Sequence, residues 1–149
     1  MIGGQLIDKV GLVLQNQDDV FMSTAAVEIV EESDIKNPNV VKVVINKIGR
    51  ALYFSRSGIP FARDQRVTPA FRHLGIYGYY AGFLRQWPSL PEGSIEQTEK
   101  LEQLRVLDAG HQIQVVVVVE DDSGIGVDTQ EDLDKVRSVF ADRKSEVAG

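Results

Sequence analysis

The sequence contains no cysteine. That excludes disulfides, thiolate metal sites and a cysteine nucleophile, and it agrees with a reducing compartment. No segment has the length of apolar residues needed to span a bilayer. The N-terminus, Met1-Ile2-Gly3-Gly4-Gln5, lacks a basic region followed by an apolar run, so no signal peptide is expected. Positive charge is also in deficit: 16 Lys and Arg stand against 22 Asp and Glu, a formal net charge of -6. Without a broad basic surface to neutralise phosphates, no nucleic-acid partner is expected. No membrane partner is expected either, and the cytoplasm is the default location. A local positive spot remains, because Arg56, Arg63, Arg66 and Arg72 fall close together.

What is present suits one folded domain over residues 1–149. Hydrophobic residues make up 43% and charged residues 26%, values that argue against disorder. Ile2, Leu6, Ile7, Val10, Val13 and Leu14 recur at helical spacing and predict a helix over 5–16. Residues 20–30 are rich in β-branched and small apolar side chains and read as a strand. Residues 31–39 read as a polar loop. Two apolar runs, 40–45 and 51–55, flank a short glycine-containing turn and predict a hairpin.

Residues 57–70 hold two prolines, a glycine and charges, and read as a long loop of the kind that often carries function. Residues 73–80 read as a strand. Its glycines at 75 and 78 mark close approach of a ligand or another backbone. A helical turn is expected at 82–87, stopped by Pro88 and Pro91. A helix is expected over 94–109, with Ser94 and Gln97 at capping-box spacing and Gly110 ending it. Ile113 to Val119 includes five consecutive valines and predicts a strand covered on both faces, as in a parallel sheet. A turn at 121–126 and a last helix over 129–143 complete the reading. Interleaved helices and strands make the class α/β with a mixed sheet.

One element is missing from that pattern. Open α/β sheets that bind nucleotides usually begin with a strand and a glycine-rich phosphate loop. This chain begins with a helix and has no such loop, and Gly124-Ile125-Gly126 is too short to serve.

Four stretches together carry a resemblance. They are Asn37-Pro38-Asn39-Val40-Val41-Lys42-Val43-Val44 with Ala51 to Arg56 and Ile59-Pro60; Arg72-His73-Leu74-Gly75-Ile76-Tyr77-Gly78-Tyr79; Leu101-Glu102-Gln103-Leu104-Arg105; and Gly126-Val127-Asp128-Thr129 with Glu131-Asp132-Leu133. In order and spacing the chain resembles the C-terminal part of the CMP-Kdo synthetases, the 3-deoxy-manno-octulosonate cytidylyltransferases. The resemblance implies a Rossmann-like nucleotidyltransferase fold, present without its N-terminal portion. It implies transfer of CMP from CTP to Kdo for lipopolysaccharide assembly, with Mg assisting, and a homodimer with contacts around the hairpin. Two hallmarks of the family are absent: the N-terminal phosphate loop and the Gln-Gly-Asp-Glu-Pro segment with its metal-binding aspartate. The polypeptide alone is therefore expected to lack activity.

By the same resemblance, Asp128 is the second metal-binding aspartate. Magnesium prefers such oxygen ligands, although Asp128 with Glu131 also has the spacing of a helix cap. Arg56 and Arg63 match positions near the bound sugar acid, where a guanidinium can hold a carboxylate; the bland alternative is an exposed loop arginine. His73 and Tyr77 match the strand lining the sugar pocket, and their even spacing puts them on one face. His73 is also a candidate general base. Glu102 and Gln103 match contacts to sugar hydroxyls, against the plainer possibility of a solvated helix face with Glu102 paired to Arg105. Glu99 and Lys100 are expected to face solvent. Gln130 stands where the family usually has Pro, and Tyr80 where it often has a basic residue. Two other readings stand beside this one: a non-catalytic sugar-acid-binding or dimerisation fragment, and a cytidylyltransferase for an 8-amino Kdo analogue.

Overall fold

The computed structural model describes residues 4–15, 17, 19–119, 130 and 137. Its first helix, α1, spans Gly4–Leu12 and buries Leu6 and Val10, as their spacing dictates. The strand β1, Val20–Glu28, follows. The expected polar loop at 31–39 contains a short helix instead, α2 at Glu32–Lys36, anchored by buried Ile35. β2 (Lys42–Ile45) and β3 (Ala51–Ser55) form the predicted hairpin, turned by Gly49 at φ 81°. The 56–70 loop carries no helix or strand and leads to β4, Phe71–Tyr79.

α3 (Ala81–Gln86) runs into a 3₁₀ turn at Trp87–Ser89. The helix expected over 94–109 is in fact two. α4 covers Ser94–Glu99 and α5 covers Leu104–Asp108. Lys100 breaks them apart with a left-handed backbone, φ 54°. Gly93, not Ser94, is the N-cap of α4, and no side-chain cap bond forms. Gly110 does end α5, at φ 81°. β5 spans Gln112–Val118. The turn at 121–126 and nearly all of the helix expected over 129–143 lie outside the described residues.

The five strands form one mixed sheet, ordered β3-β2-β4-β1-β5. β5 runs parallel to β1, and the other pairings are antiparallel. Each face of β1 is buried under a different layer. Met22 and Ala26 enter a core with Phe54, Phe83, Leu101, Leu104, Val106, Ile113 and Val115, on the side covered by α3, α4 and α5. Ala25 and Val27 pack with Val118 against Leu6 and Val10 of α1. β5 is therefore covered on both faces over most of its length, although Val117 is 51% exposed near its end.

The outer edge of β5 meets the tip of the hairpin. Arg50 bridges Gln114, and Val115 N–H donates to the Gly49 carbonyl at 2.8 Å. The sheet thereby curls back toward itself. β4 carries a two-residue bulge opposite Thr24 and Ala25. An even insertion keeps the pleat in phase, so Phe71, Tyr77 and Tyr79 face the α4–α5 layer while Leu74 and Ile76 face α1. Gly78 answers a close approach, as its position in a strand implied, but the neighbour is α1. A Cβ there would lie 2.6 Å from Ser23 Oγ and 3.1 Å from the Val10 carbonyl. Around an added Cβ at Gly75, by contrast, the space is open.

Candidate functional site

β4 lays a line of rings along the face beneath α4 and α5. His73 meets Phe54 edge-on at 5.0 Å and Tyr77 at 5.4 Å. Tyr77 lies 6.1 Å from Tyr79, which in turn meets Trp87 at 5.9 Å. His73 and Tyr77 thus share the face that their spacing required.

Burial holds the His73 imidazole neutral, with its pKa lowered to about 4. Its tautomer follows from the hydrogen bonds around Thr24. The Thr24 hydroxyl has one proton, and the Ile76 carbonyl at 2.7 Å is its best acceptor. Thr24 Oγ1 then accepts from His73 Nε2–H at 2.9 Å. Nδ1 is left as an acceptor. A base this weak is poorly matched to proton abstraction near neutrality, so the geometry favours hydrogen-bond acceptance over general-base work. The phenol of Tyr77 is pushed up by burial, then by Tyr79 and the charge of Glu102. Tyr79 is raised by burial and by Glu102. The charge of exposed Glu102 thus lies within electrostatic reach of both phenols.

The corner between α4 and α5 presents Glu102 and Gln103. Glu102 is exposed and forms no ion pair among the described residues; the expected partner, Arg105, binds elsewhere. Arg105 grips buried Glu96 through two bonds, 2.8 and 2.6 Å, and lies 5.7 Å from the Trp87 ring centroid. That bidentate bond holds the Glu96 carboxyl below its usual range. Gln103 is only 4% exposed.

Arg56 sits at the end of β3 and braces the same corner. Its Nε donates to the Glu99 carbonyl at 2.8 Å, Nη1 to Pro38 at 3.1 Å and Nη2 to Lys100 at 3.4 Å. Only its remaining donors stay open for a carboxylate. Glu99 does not face solvent freely, as expected from sequence. It accepts from Ser55 Oγ at 2.6 Å and from the Arg56 backbone N–H at 3.0 Å. Lys100 is exposed. Beneath this corner the fully buried Lys42 ammonium donates to the carbonyls of Asn37, Val40 and Arg56. Desolvation lowers its pKa, partly offset by Glu99. The sequence carried one signal for it, a lysine among four valines.

Arg63 is exposed on the 56–70 loop, and no contact brings it to His73 or Tyr77. Arg66 donates to the Pro60 carbonyl at 3.2 Å. Asp128 lies outside the described residues. Among the described residues no group of three or more His, Cys, Asp or Glu could hold a metal ion, and no helix is long and apolar enough to cross a membrane. The structure thus joins His73 and Tyr77 on one face of β4, leaves Glu102 exposed at the α4–α5 corner with Gln103 next to it in the chain, and uses Arg56 as a brace.

Known proteins share this arrangement of elements. A family model described as cytidylyltransferase matches residues 1–113. The 3-deoxy-manno-octulosonate cytidylyltransferase of Leptothrix cholodnii is 49% identical over 143 residues, covering 91% of this chain and 52% of its own length. That of Polynucleobacter necessarius is 47% identical, covering 95% of this chain and 56% of its own. A solved CMP:2-keto-3-deoxy-manno-octonic acid synthetase complexed with CTP superposes with a TM-score of 0.87 at 36% identity, over 96% of this chain and 58% of that one. The chain spans about half the length of the curated relatives it matches. Fold, order of motifs and identity agree across nine-tenths of the residues, and the chain belongs to the cytidylyltransferase family.

Proposed function

We propose that this chain forms the sugar-acid side of a site that transfers CMP from CTP to Kdo. The observation that carries the reading is the pairing of His73 and Tyr77 on one face of β4, with the charge of Glu102 close enough to raise both Tyr77 and Tyr79. A polyhydroxylated acid needs donors and acceptors fixed in place. Gln103 offers both, His73 Nδ1 and Glu102 accept, and the Tyr77 hydroxyl donates. The open donors of Arg56, and the Arg63 side chain, are suited to the acid's carboxylate. The relatives' names and the CTP-bound neighbour support the nucleotide and the sugar acid as substrates.

Magnesium belongs to the same proposal through Asp128, where it would neutralise charge on the transferring phosphate. A homodimer and a cytoplasmic location complete the reading. Exposed Ile48 and Leu52 on the hairpin, at 70% and 57%, supply an apolar surface for pairing.

Calorimetric titration with Kdo tests the site. Gln103→Leu and Tyr77→Phe should each weaken binding about tenfold, the worth of one hydrogen bond. Unchanged affinity in both variants would overturn the assignment. Pyrophosphate release from CTP and Kdo with magnesium tests the whole reaction, and Asp128→Ala should abolish any turnover seen. The carboxylate of Glu102 also suits an ammonium group, so the same titration with 8-amino Kdo separates the two sugars.

A further inference from the structure

The bulge in β4 lies close beside His73. Its two extra residues, Gly75 and Ile76, fall between Leu74, which pairs with Ala25, and Tyr77, which pairs with Thr24. A bulge disrupts the ladder locally, and such irregularities often sit beside functional sites. Here the Thr24 hydroxyl fills in. It lies 2.7 Å from the Ile76 carbonyl and 3.2 Å from the Leu74 carbonyl, and its third neighbour is His73 Nε2 at 2.9 Å. Two of these three neighbours can only accept. The single hydroxyl proton goes to the bulge, and an Nε2–H completes the set. Thr24 is fully buried, so solvent does not compete for these positions.

The other ring nitrogen is open. Nδ1 has no hydrogen-bond partner among the described residues, and the unpartnered side-chain atoms that are sealed off belong to Gln17, Arg50 and Gln114. Nδ1 is therefore reachable from outside. Phe54 and Tyr77 flank the ring. It stays neutral near neutrality, so its two tautomers are the forms in question.

We propose that Thr24 is a positioning residue: it fixes His73 as the Nε2–H tautomer, so that Nδ1 accepts from a ligand hydroxyl. The ligand half of this inference rests on the sugar-acid reading; the tautomer half does not. Long-range proton–nitrogen NMR reads the tautomer in the free chain. His73→Gln identifies the signals, because His111 is the other histidine of the sequence. The parent and Thr24→Ser, which keeps the hydroxyl, should both show Nε2 protonated and Nδ1 bare. Thr24→Val should show a mixture.

Kdo, titrated calorimetrically, should bind Thr24→Ser as it binds the parent. It should bind Thr24→Val more weakly by the reciprocal of the remaining Nε2–H fraction, about twofold where that fraction is one-half. A protonated Nδ1 in the parent would overturn the proposal, and that measurement needs no variant to fold. An unchanged tautomer in Thr24→Val would do so as well. So would a mixed tautomer with unchanged affinity, or a loss of affinity far beyond that factor. If the tautomers behave as stated and no protein binds Kdo, the sugar-acid reading fails and takes the ligand half with it, while the hold of Thr24 on His73 stands.

Discussion

His73 shows how one residue's surroundings set its chemistry. Phe54 and Tyr77 flank its ring and Thr24 takes its Nε2–H. Burial then lowers its pKa to about 4. The unfolded chain, with an ordinary imidazole near 6.5, binds the extra proton first as pH falls. Stability should be level above about pH 6.5 and decline between there and pH 4, by roughly 3 kcal/mol at most. Glu96, held low by Arg105, adds a further decline below its unfolded value near 4.5. Urea unfolding across this range should show the first slope in the parent and not in His73→Gln. A parent curve that stays level from pH 7 to 4.5 would contradict the buried, neutral assignment. Residue-scale roles were the least legible in the sequence. Glu99 and Lys42 look like surface charges until the fold brings Ser55 and three carbonyls to them.

Elements with strong periodicity could be read directly. Leu6 and Val10 place α1, the apolar run around Tyr53 and Phe54 places β3, and the valine run places β5. The helix expected over 94–109 breaks in two for a physical reason. Ile95, Leu101, Leu104 and Leu107 keep a nearly helical apolar rhythm, but Arg56 pulls on the carbonyls of Glu99 and Lys100 from outside. Tertiary bonds outweigh local propensity there, and the break leaves Glu102 and Gln103 at the corner between α4 and α5. The five residues of α2 are too few to carry a periodic pattern. Between α1 and β4, packing is tight at Gly78. Gly78→Ala must displace Ser23 Oγ, which already donates to the Val10 carbonyl at 2.6 Å. We expect a loss of about 1–3 kcal/mol, read as a lower urea midpoint. A midpoint equal to the parent's would mean that α1 shifts freely on the sheet.

At the scale of the whole molecule, the α/β class follows from the alternation of elements, whereas the strand order does not. The valine run signals a strand of parallel type, but nothing local in the sequence names β1 as its neighbour or sends the hairpin tip to Gln114. The hairpin's outward apolar residues carry the proposed pairing. Leu52→Glu should move the sedimentation boundary toward the monomer without lowering stability, because Leu52 is 57% exposed. A boundary unaffected by concentration in both proteins would argue against pairing through this surface.

The parallel pairing has a consequence for how the chain is made. Val20 finds its partner only when Gln112 has left the ribosome, roughly ninety residues later. At about 5–20 residues per second, the nascent β1 keeps one edge uncovered for on the order of 5–20 s. That edge carries Met22, Ala25, Ala26 and Val27, all buried in the finished sheet. Until synthesis reaches the valine run, the half-made protein presents the open strand that chaperones shield and aggregates recruit.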